Sequence, residues 1–398
     1  MRAIGKHRVI DSADLISVVE GCCMRILYGV NGYGRGHATR TLAVLPALAR
    51  QHQLLVLAGG DAYPAFAPEY PVVRIPTLGF AYRSIGHGQR KRSNFGTIRR
   101  NFPATVDLFC NGPTFVMVRE IVEAFAPDIV ISDAETWTHQ VAASLKIPRI
   151  GFDHIGILAY CKPVLDPLDR VKACLDSFCY RALMGQPDRI LVSSFYDATP
   201  RRPGVRVIGT LPRQTVRELT PANGAHLLVY LNRGQDQLHA ELLRPLEEIG
   251  CPVHIYGTEQ RGRQGRLSFM PSSNLPFLED LASCRAVIST AGNQLVGEAI
   301  YLGKPVLAMP ESCVEQRMNA LAVERLGIGM RVDPRHFSLA KLKQYMDRVD
   351  RYKGNLRPHV RDGLNEALSA LDRFFLELVP SWSAQKQAAT TPLQVTPT

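Results

Sequence analysis

The chain has 398 residues, a net charge of +11, 46% hydrophobic and 21% charged residues, which is long for one core, comfortable for two α/β domains and outside the range of a disordered polymer. Nine cysteines at 22, 23, 110, 161, 174, 179, 251, 284 and 313, with no Cys-x-x-Cys pair, exclude a disulfide framework and a zinc knuckle and fit a reducing cytoplasm. No run approaches the ~18 apolar residues needed to span a bilayer.

Residues 1–23 read as an N-terminal extension. Asp11, Asp14 and Glu20 interrupt any signal-peptide core, and Met24, directly before the first strand, is an alternative start. Arg25 to Val30 is a β-type run, followed by the glycine loop Asn31, Gly32, Tyr33, Gly34, Arg35, Gly36 and His37, then by an alanine- and leucine-rich helix to about Arg50. As a dinucleotide fingerprint this loop is imperfect, because His37 stands where close helix packing wants Gly or Ala. Asp61, after the strand Leu54 to Leu57, sits where a ribose-binding acid is expected, so an NAD-dependent oxidoreductase using Gly32 to Gly36 stays open.

From Tyr70 to Val106 the basic residues Arg74, Arg83, Arg90, Lys91, Arg92, Arg99 and Arg100 occur without one Asp or Glu. A basic loop from Arg83 to Arg100 suits an anionic acceptor or an acidic membrane surface, and no nucleic acid is expected. A long helix, about Ala104 to Phe125, precedes the strand Asp128 to Ile131, whose end carries Ser132, Asp133, Ala134 and Glu135. Strand Arg149 to Phe152 ends in Asp153 and His154. Helix Pro167 to Leu183 and strand Arg189 to Val192 follow. Strand and helix alternate at about thirty residues, so 24–212 reads as a doubly wound parallel sheet, with Gly34, Gly36, Glu135, Asp153 and His154 near the strand ends where such sheets hold ligands.

Four prolines between Pro200 and Gly224 mark an interdomain segment, with 213–224 as linker. The second domain, 225–352, opens with strand Leu227 to Leu231, ending in Asn232, Arg233 and Gly234. It continues through helix Leu238 to Ile249, strand Val253 to Tyr256 and the run Leu267 to Met270. Ala286 to Ala320 then reads as strand, small-residue turn (Ser289 to Asn293), helix, Gly303 stop, second strand (Val306 to Met309), and a helix from about Glu315. Gly292 allows close backbone approach and the helix N-terminus favours a diphosphate, while Glu298 is placed for ribose hydroxyls and Glu315 with Gln316 for a sugar. Residues 353–382 carry the last helix, about Arg361 to Leu378, and 383–398, rich in Gln, Ala, Thr and Pro, read as a disordered tail.

The order S-T-A-G-N-x-x-x-x-E-A-x-x-x-G-K-P-V-L-x-x-P-x-x-x-x-E-Q-x-x-N-A resembles the donor region of GT-B glycosyltransferases of the MurG and UDP-glycosyltransferase group. The resemblance implies two Rossmann-like domains facing a cleft, with Ser289, Gly292 and Asn293 at the diphosphate, Glu298 at the ribose, Glu315 and Gln316 at the donor sugar, and Phe269 near the base. Asn232, Arg233 and Gly234 join them at the cleft. It implies that the first-domain loop presents His37 as the base, with Asp133 orienting it. Glu135 is the competing partner. The expected activity is an inverting transfer from a nucleoside diphosphate sugar, with UDP the expected nucleotide. No cofactor or metal is expected, since no Asp-x-Asp pair occurs. A nucleotide-sugar epimerase of the same fold is the alternative. A lipid-linked acceptor would bring this cytoplasmic protein to the membrane face, and in such folds the last helix crosses back to the first domain.

Overall fold

The computed structural model describes residues 23–79, 81–86, 89–232, 234–271 and 274–384. The extension up to residue 22, Arg233, the tail from 385, and the side chains of Arg83, Arg90, Lys91 and Arg92 lie outside the described structure.

Two seven-stranded sheets organise the chain. From edge to edge the first runs Val205–Ile208, Arg189–Ser193, Arg149–Asp153, Ile129–Asp133, Arg25–Val30, Gln53–Ala58 and Val72–Arg74, every neighbouring pair parallel. Both faces are covered. Val44, Leu45 and Leu48 of helix Arg35–Ala49 pack on one, and Phe115, Val118 and Val122 of helix Pro113–Phe125, with Trp137 and Val141 of helix Thr136–Ser144, on the other. Two-sided burial explains why these strands are almost continuously apolar. The strand order reverses direction between Arg25–Val30 and Ile129–Asp133, and this is where an open sheet leaves a crevice at its carboxyl ends.

The second sheet runs Gly262–Gln264, Leu267–Phe269, Val253–Tyr256, Leu227–Tyr230, Ala286–Ser289, Val306–Ala308 and Gly329–Arg331. Only the edge strand Gly262–Gln264 pairs antiparallel. Its crevice lies between Leu227–Tyr230 and Ala286–Ser289, so the two switch points supply the two halves of a cleft.

Several expectations are corrected. The helix expected as one piece from Ala104 is two, Asn94–Phe109 and Pro113–Phe125, because Asn111 turns with φ 53° and Asp107 accepts hydrogen bonds from the Thr114 and Phe115 amides. The basic stretch is not a plain loop. Ala81–Gly86 and Gln89–Ser93 pair as a hairpin, and Ser93 caps the next helix by accepting from the Gly96 amide. Phe269, expected at a base, is a buried core residue, since alternation on Leu267–Phe269 turns it inward. The proline-rich segment contains the edge strand Val205–Ile208 and a short helix, Gln214–Glu218.

Helix Gly363–Leu378 packs on the first sheet, burying Ala367, Ala370, Leu371, Phe374 and Phe375 in the core that holds Tyr28 and Val44. Each large side chain buried there contributes about 1.5–3 kcal/mol. The approach depends on Gly363, whose amide donates to Thr210 O at 2.8 Å and whose added Cβ would stand 2.1 Å from the Gly209 carbonyl.

Candidate functional site

At the first switch point the register pairs Val30 with Asp133, so the loop after one strand and the last residue of its neighbour are side by side. His37 lies in the first turn of helix Arg35–Ala49, and its Nδ1 lies 2.6 Å from Asp133 Oδ1. Asp133 is fully buried, while the His37 side chain keeps 15% of its surface. With Nδ1 held by a carboxylate, Nε2 is the nitrogen left to exchange a proton.

Arg40, one helical turn after His37, grips the same carboxylate through Nη2 to Oδ1 at 2.5 Å and Nε to Oδ2 at 2.9 Å. Burial alone would push the Asp133 carboxyl up, but the Arg40 guanidinium and His37 outweigh it and hold the group below the usual carboxylate range. The pair is therefore built to stay ionised. The sequence reading missed Arg40. Its i, i+3 spacing from His37 on one helix was the available signal.

Glu135 does not partner His37. Its carboxylate caps helix Thr136–Ser144, accepting from the Trp137 and Thr138 amides and from Thr138 Oγ1. Asp153 is likewise spent locally, on the Gly156 amide and the Tyr180 hydroxyl. Neither is open to an acceptor. Gly34 takes φ 84°, and Gly34 and Gly36 both have open space where a Cβ would stand. The Gly34 amide approaches Asp61 Oδ2 at 3.4 Å, which brings Asp61 against the first glycine loop.

The donor-like segment forms as expected: strand Ala286–Ser289, helix Asn293–Tyr301, strand Val306–Ala308, helix Val314–Arg325. Ser289 Oγ accepts from the Ala291 amide, which shapes the turn. Gly292 caps the first helix, with nothing within 4 Å of an added Cβ, so space is open before the helix N-terminus. Asn293 turns sideways, donating to Ser193 O and accepting from the Phe195 amide of the first domain. Asn232 is exposed and Gly234 packs its backbone against Gly257.

Glu298 departs from its expected exposure to a ribose. It is fully buried, and Arg213 grips it through Nε to Oε1 at 2.9 Å and Nη2 to Oε2 at 2.6 Å, with Gln294 donating to Oε1 at 3.1 Å. Gln316 is engaged within its own segment, its Oε1 accepting from the Glu311 amide at 2.8 Å. Glu315 retains 22% of its side-chain surface. Burial pushes its carboxyl up to about 7, against the opposing hydrogen bond of Asn319 and the fields of His37 and Arg40. His154, expected as an acceptor contact, instead joins the domains: Nδ1 lies 2.8 Å from Ser193 O, and Nε2 lies 3.0 Å from Asn319 Oδ1 and 3.5 Å from Glu315 Oε1. Burial pushes its imidazole down to about 4.

Among the described residues, one group has metal-ligand spacing: His226, His254 and Asp280. His226 precedes strand Leu227–Tyr230 and the group lies toward the amino ends of the strands, away from the cleft. It is already knit together, with His254 Nδ1 on Asp280 Oδ2 at 2.7 Å and Tyr256 donating to the same oxygen.

Comparison with known proteins agrees with this geometry. Residues 24–350 match the model of a family described as glycosyl transferase family 1. A UDP-N-acetylglucosamine--N-acetylmuramyl-(pentapeptide) pyrophosphoryl-undecaprenol N-acetylglucosamine transferase of Thermotoga neapolitana is 32% identical over 124 residues, 29% of this chain and 37% of the relative; the match therefore spans little more than a third of that protein. A UDP-glucosyltransferase of Polygonum tinctorium superposes with a TM-score of 0.63 at 14% identity, covering 92% of this chain and 100% of that one. MurG of Acinetobacter baumannii gives 0.55 at 14% identity, covering 88% and 99%. Two Rossmann-like domains facing a cleft, with a family match across both of them, identify the chain: it belongs to glycosyl transferase family 1.

Proposed function

We propose that the protein is an inverting glycosyltransferase that moves a sugar from a nucleoside diphosphate sugar, with UDP as the nucleotide, to a hydroxyl of an anionic, lipid-linked acceptor. The observation that carries the reading is the partly exposed His37 held at 2.6 Å by the buried, ionised Asp133 carboxylate at the first switch point, in a chain whose second switch point opens a helix N-terminus behind Gly292. His37 Nε2 takes the acceptor proton as the hydroxyl oxygen attacks the anomeric carbon. The bond to the diphosphate breaks on the opposite face, and the proton stays on His37 while Asp133 stabilises the imidazolium. Backbone amides at Gly292 and Asn293 stabilise the departing diphosphate without a metal ion.

The acceptor class is supported by surface chemistry. Phe95, Ile98, Phe102, Val106 and Phe109 are exposed along helix Asn94–Phe109, at spacings of three and four that form one stripe. Arg99 and Arg100 lie on the same helix, and the hairpin before it is the basic one. An apolar stripe beside positive charge fits an acidic lipid surface. The Thermotoga relative, whose name specifies a pyrophosphoryl-undecaprenol acceptor, supports the same class. Among the described residues no helix is long and apolar enough to cross a membrane, so contact would be peripheral.

The test is incubation of the purified protein with UDP-N-acetylglucosamine, UDP-glucose and dTDP-sugars, with and without polyprenyl-diphosphate saccharides in anionic vesicles. Acceptor-dependent release of UDP, with the product linkage of opposite anomeric configuration to the donor, is the expected result. Release with retained configuration, or interconversion of the sugar nucleotide without transfer, would refute the reading.

A further inference from the structure

Helix Val314–Arg325 carries a second polar residue on the side of Glu315, one turn further on. Asn319 is fully buried, and both ends of its amide are engaged. Nδ2 donates to Ala291 O at 3.0 Å and to Glu315 Oε1 at 2.6 Å. Oδ1 accepts from the Tyr196 hydroxyl at 3.2 Å and faces His154 Nε2 at 3.0 Å. The amide orientation follows from its partners, because a backbone carbonyl and a carboxylate can only be met by the NH2 end.

These partners lie in the same helix, in the neighbouring turn and in the first domain. Ala291 lies in the donor-like turn and holds φ 63°, a left-handed conformation that costs an alanine roughly 1–2 kcal/mol and persists only where the surroundings over-determine it. Glu315 stands in the first turn of the helix that carries Asn319, four residues before it. His154 and Tyr196 follow two neighbouring strands of the first domain, and Ser193, beside His154, is also the carbonyl that receives Asn293.

We infer that Asn319 is a positioning residue: it fixes the Glu315 carboxylate and the Ala291 turn relative to each other and ties both to Tyr196 of the first domain, with His154 packed alongside. The inference rests on the donor reading above for its functional consequence, because Glu315 then faces the sugar and Ala291 precedes the diphosphate-binding amides. The donor sugar is thereby held by the same contact that sets the two domains together, and the nucleotide is held separately, by the helix N-terminus. A residue with only a packing role would not separate these two parts of the donor.

Asn319→Ala, Asn319→Asp and His154→Gln are compared with wild type by two measurements. The first is amide hydrogen exchange of the unliganded protein. In Asn319→Ala, exchange rises selectively at 193–196 and 290–293, while helices elsewhere in both domains keep their protection. The second is calorimetric binding of UDP and of UDP-N-acetylglucosamine. Affinity for the sugar nucleotide falls about tenfold, the worth of one charge-assisted hydrogen bond, and affinity for UDP stays within twofold. Asn319→Asp, which keeps an acceptor for Tyr196 but cannot donate to Glu315, behaves like the alanine variant. His154→Gln, which leaves an amide to meet Asn319 Oδ1, stays near wild type. Unchanged exchange at both segments overturns the interdomain tie, and parallel loss of UDP and sugar-nucleotide affinity reduces Asn319 to general support. Wild-type protein that binds neither nucleotide sinks the donor reading instead, and the exchange result still decides the tie.

Discussion

Both switch-point crevices contain an alanine with positive φ, Ala134 at 50° and Ala291 at 63°, and in both an asparagine amide donates to that alanine's carbonyl. In the first domain the asparagine is Asn31, at the end of the adjacent strand. In the second it is Asn319, from a helix that also reaches the other domain. The contrast extends to the charges. Asp133 is neutralised by Arg40 and hydrogen-bonded to His37 of its own domain, whereas Glu298 is neutralised by Arg213 from the segment joining the domains. The first crevice is thus complete within one folding unit, and the second is finished by groups outside its sheet. Under the proposed function, proton transfer at the first crevice is served by a pre-positioned pair, and a second crevice that admits and releases a charged nucleotide is served by contacts that change with domain position.

The largest expected effect falls on the self-contained crevice. His37→Ala removes the proposed base, and transferase turnover drops by about 10² to 10⁴, while the melting temperature and UDP affinity stay close to wild type because the side chain is partly exposed. Turnover within tenfold of wild type would remove His37 from the chemistry and leave the pair as a packing feature.

The shared crevice is broken through its borrowed charge. Arg213→Ala leaves the Glu298 carboxylate buried without its partner, and urea unfolding should show a loss of about 3 kcal/mol, the low end for breaking a buried pair since Arg213 retains some exposure. Arg213→Met combined with Glu298→Gln recovers most of it. A single variant as stable as wild type would mean that Glu298 escapes to solvent, and the contrast between the two crevices would fail.

Glu315 sharpens the comparison by pH. Its carboxyl sits near 7 against an ordinary 4.5. Below about pH 4.5 both folded and unfolded states are protonated. Between 4.5 and 7 the unfolded chain ionises while the folded one holds its proton, so stability falls as pH rises through that window and levels off above it. Glu315→Gln flattens this slope and is more stable than wild type at pH 8 by about 1–2 kcal/mol, allowing for partial solvent screening. Parallel pH profiles for the two proteins would contradict this account.

The smallest effect on stability is expected outside both crevices. Ile98→Glu with Phe102→Glu changes two exposed positions, so unfolding shifts by no more than about 0.5 kcal/mol, yet sedimentation with vesicles containing anionic lipid should fall sharply. Retained vesicle binding would separate the acceptor from the helix stripe.

Much of the molecule was legible in the chain. The strand, turn and helix of the 286–320 segment fall within a few residues of their expected bounds, because Gly303, Pro305 and Pro310 punctuate strong apolar periodicity and such signals are local. The join between Phe109 and Pro113 was missed although Pro113 marked it, since the helical periodicity on both sides is similar. Side-chain partners were another matter. His37 and Asp133 are 96 positions apart, Glu298 and Arg213 are 85 apart, and His154 and Asn319 are 165 apart. Spacing along the chain carries no information about such pairs, and nothing local separates Asp133, which reaches His37, from Glu135, which its own helix consumes as a cap. The sequence by itself determined the two wound sheets and the loops at their ends, because periodicity and turn chemistry act over a few residues. Only the tertiary structure decided which charges those loops keep free, because burial forces each ionised group to find its partner in space.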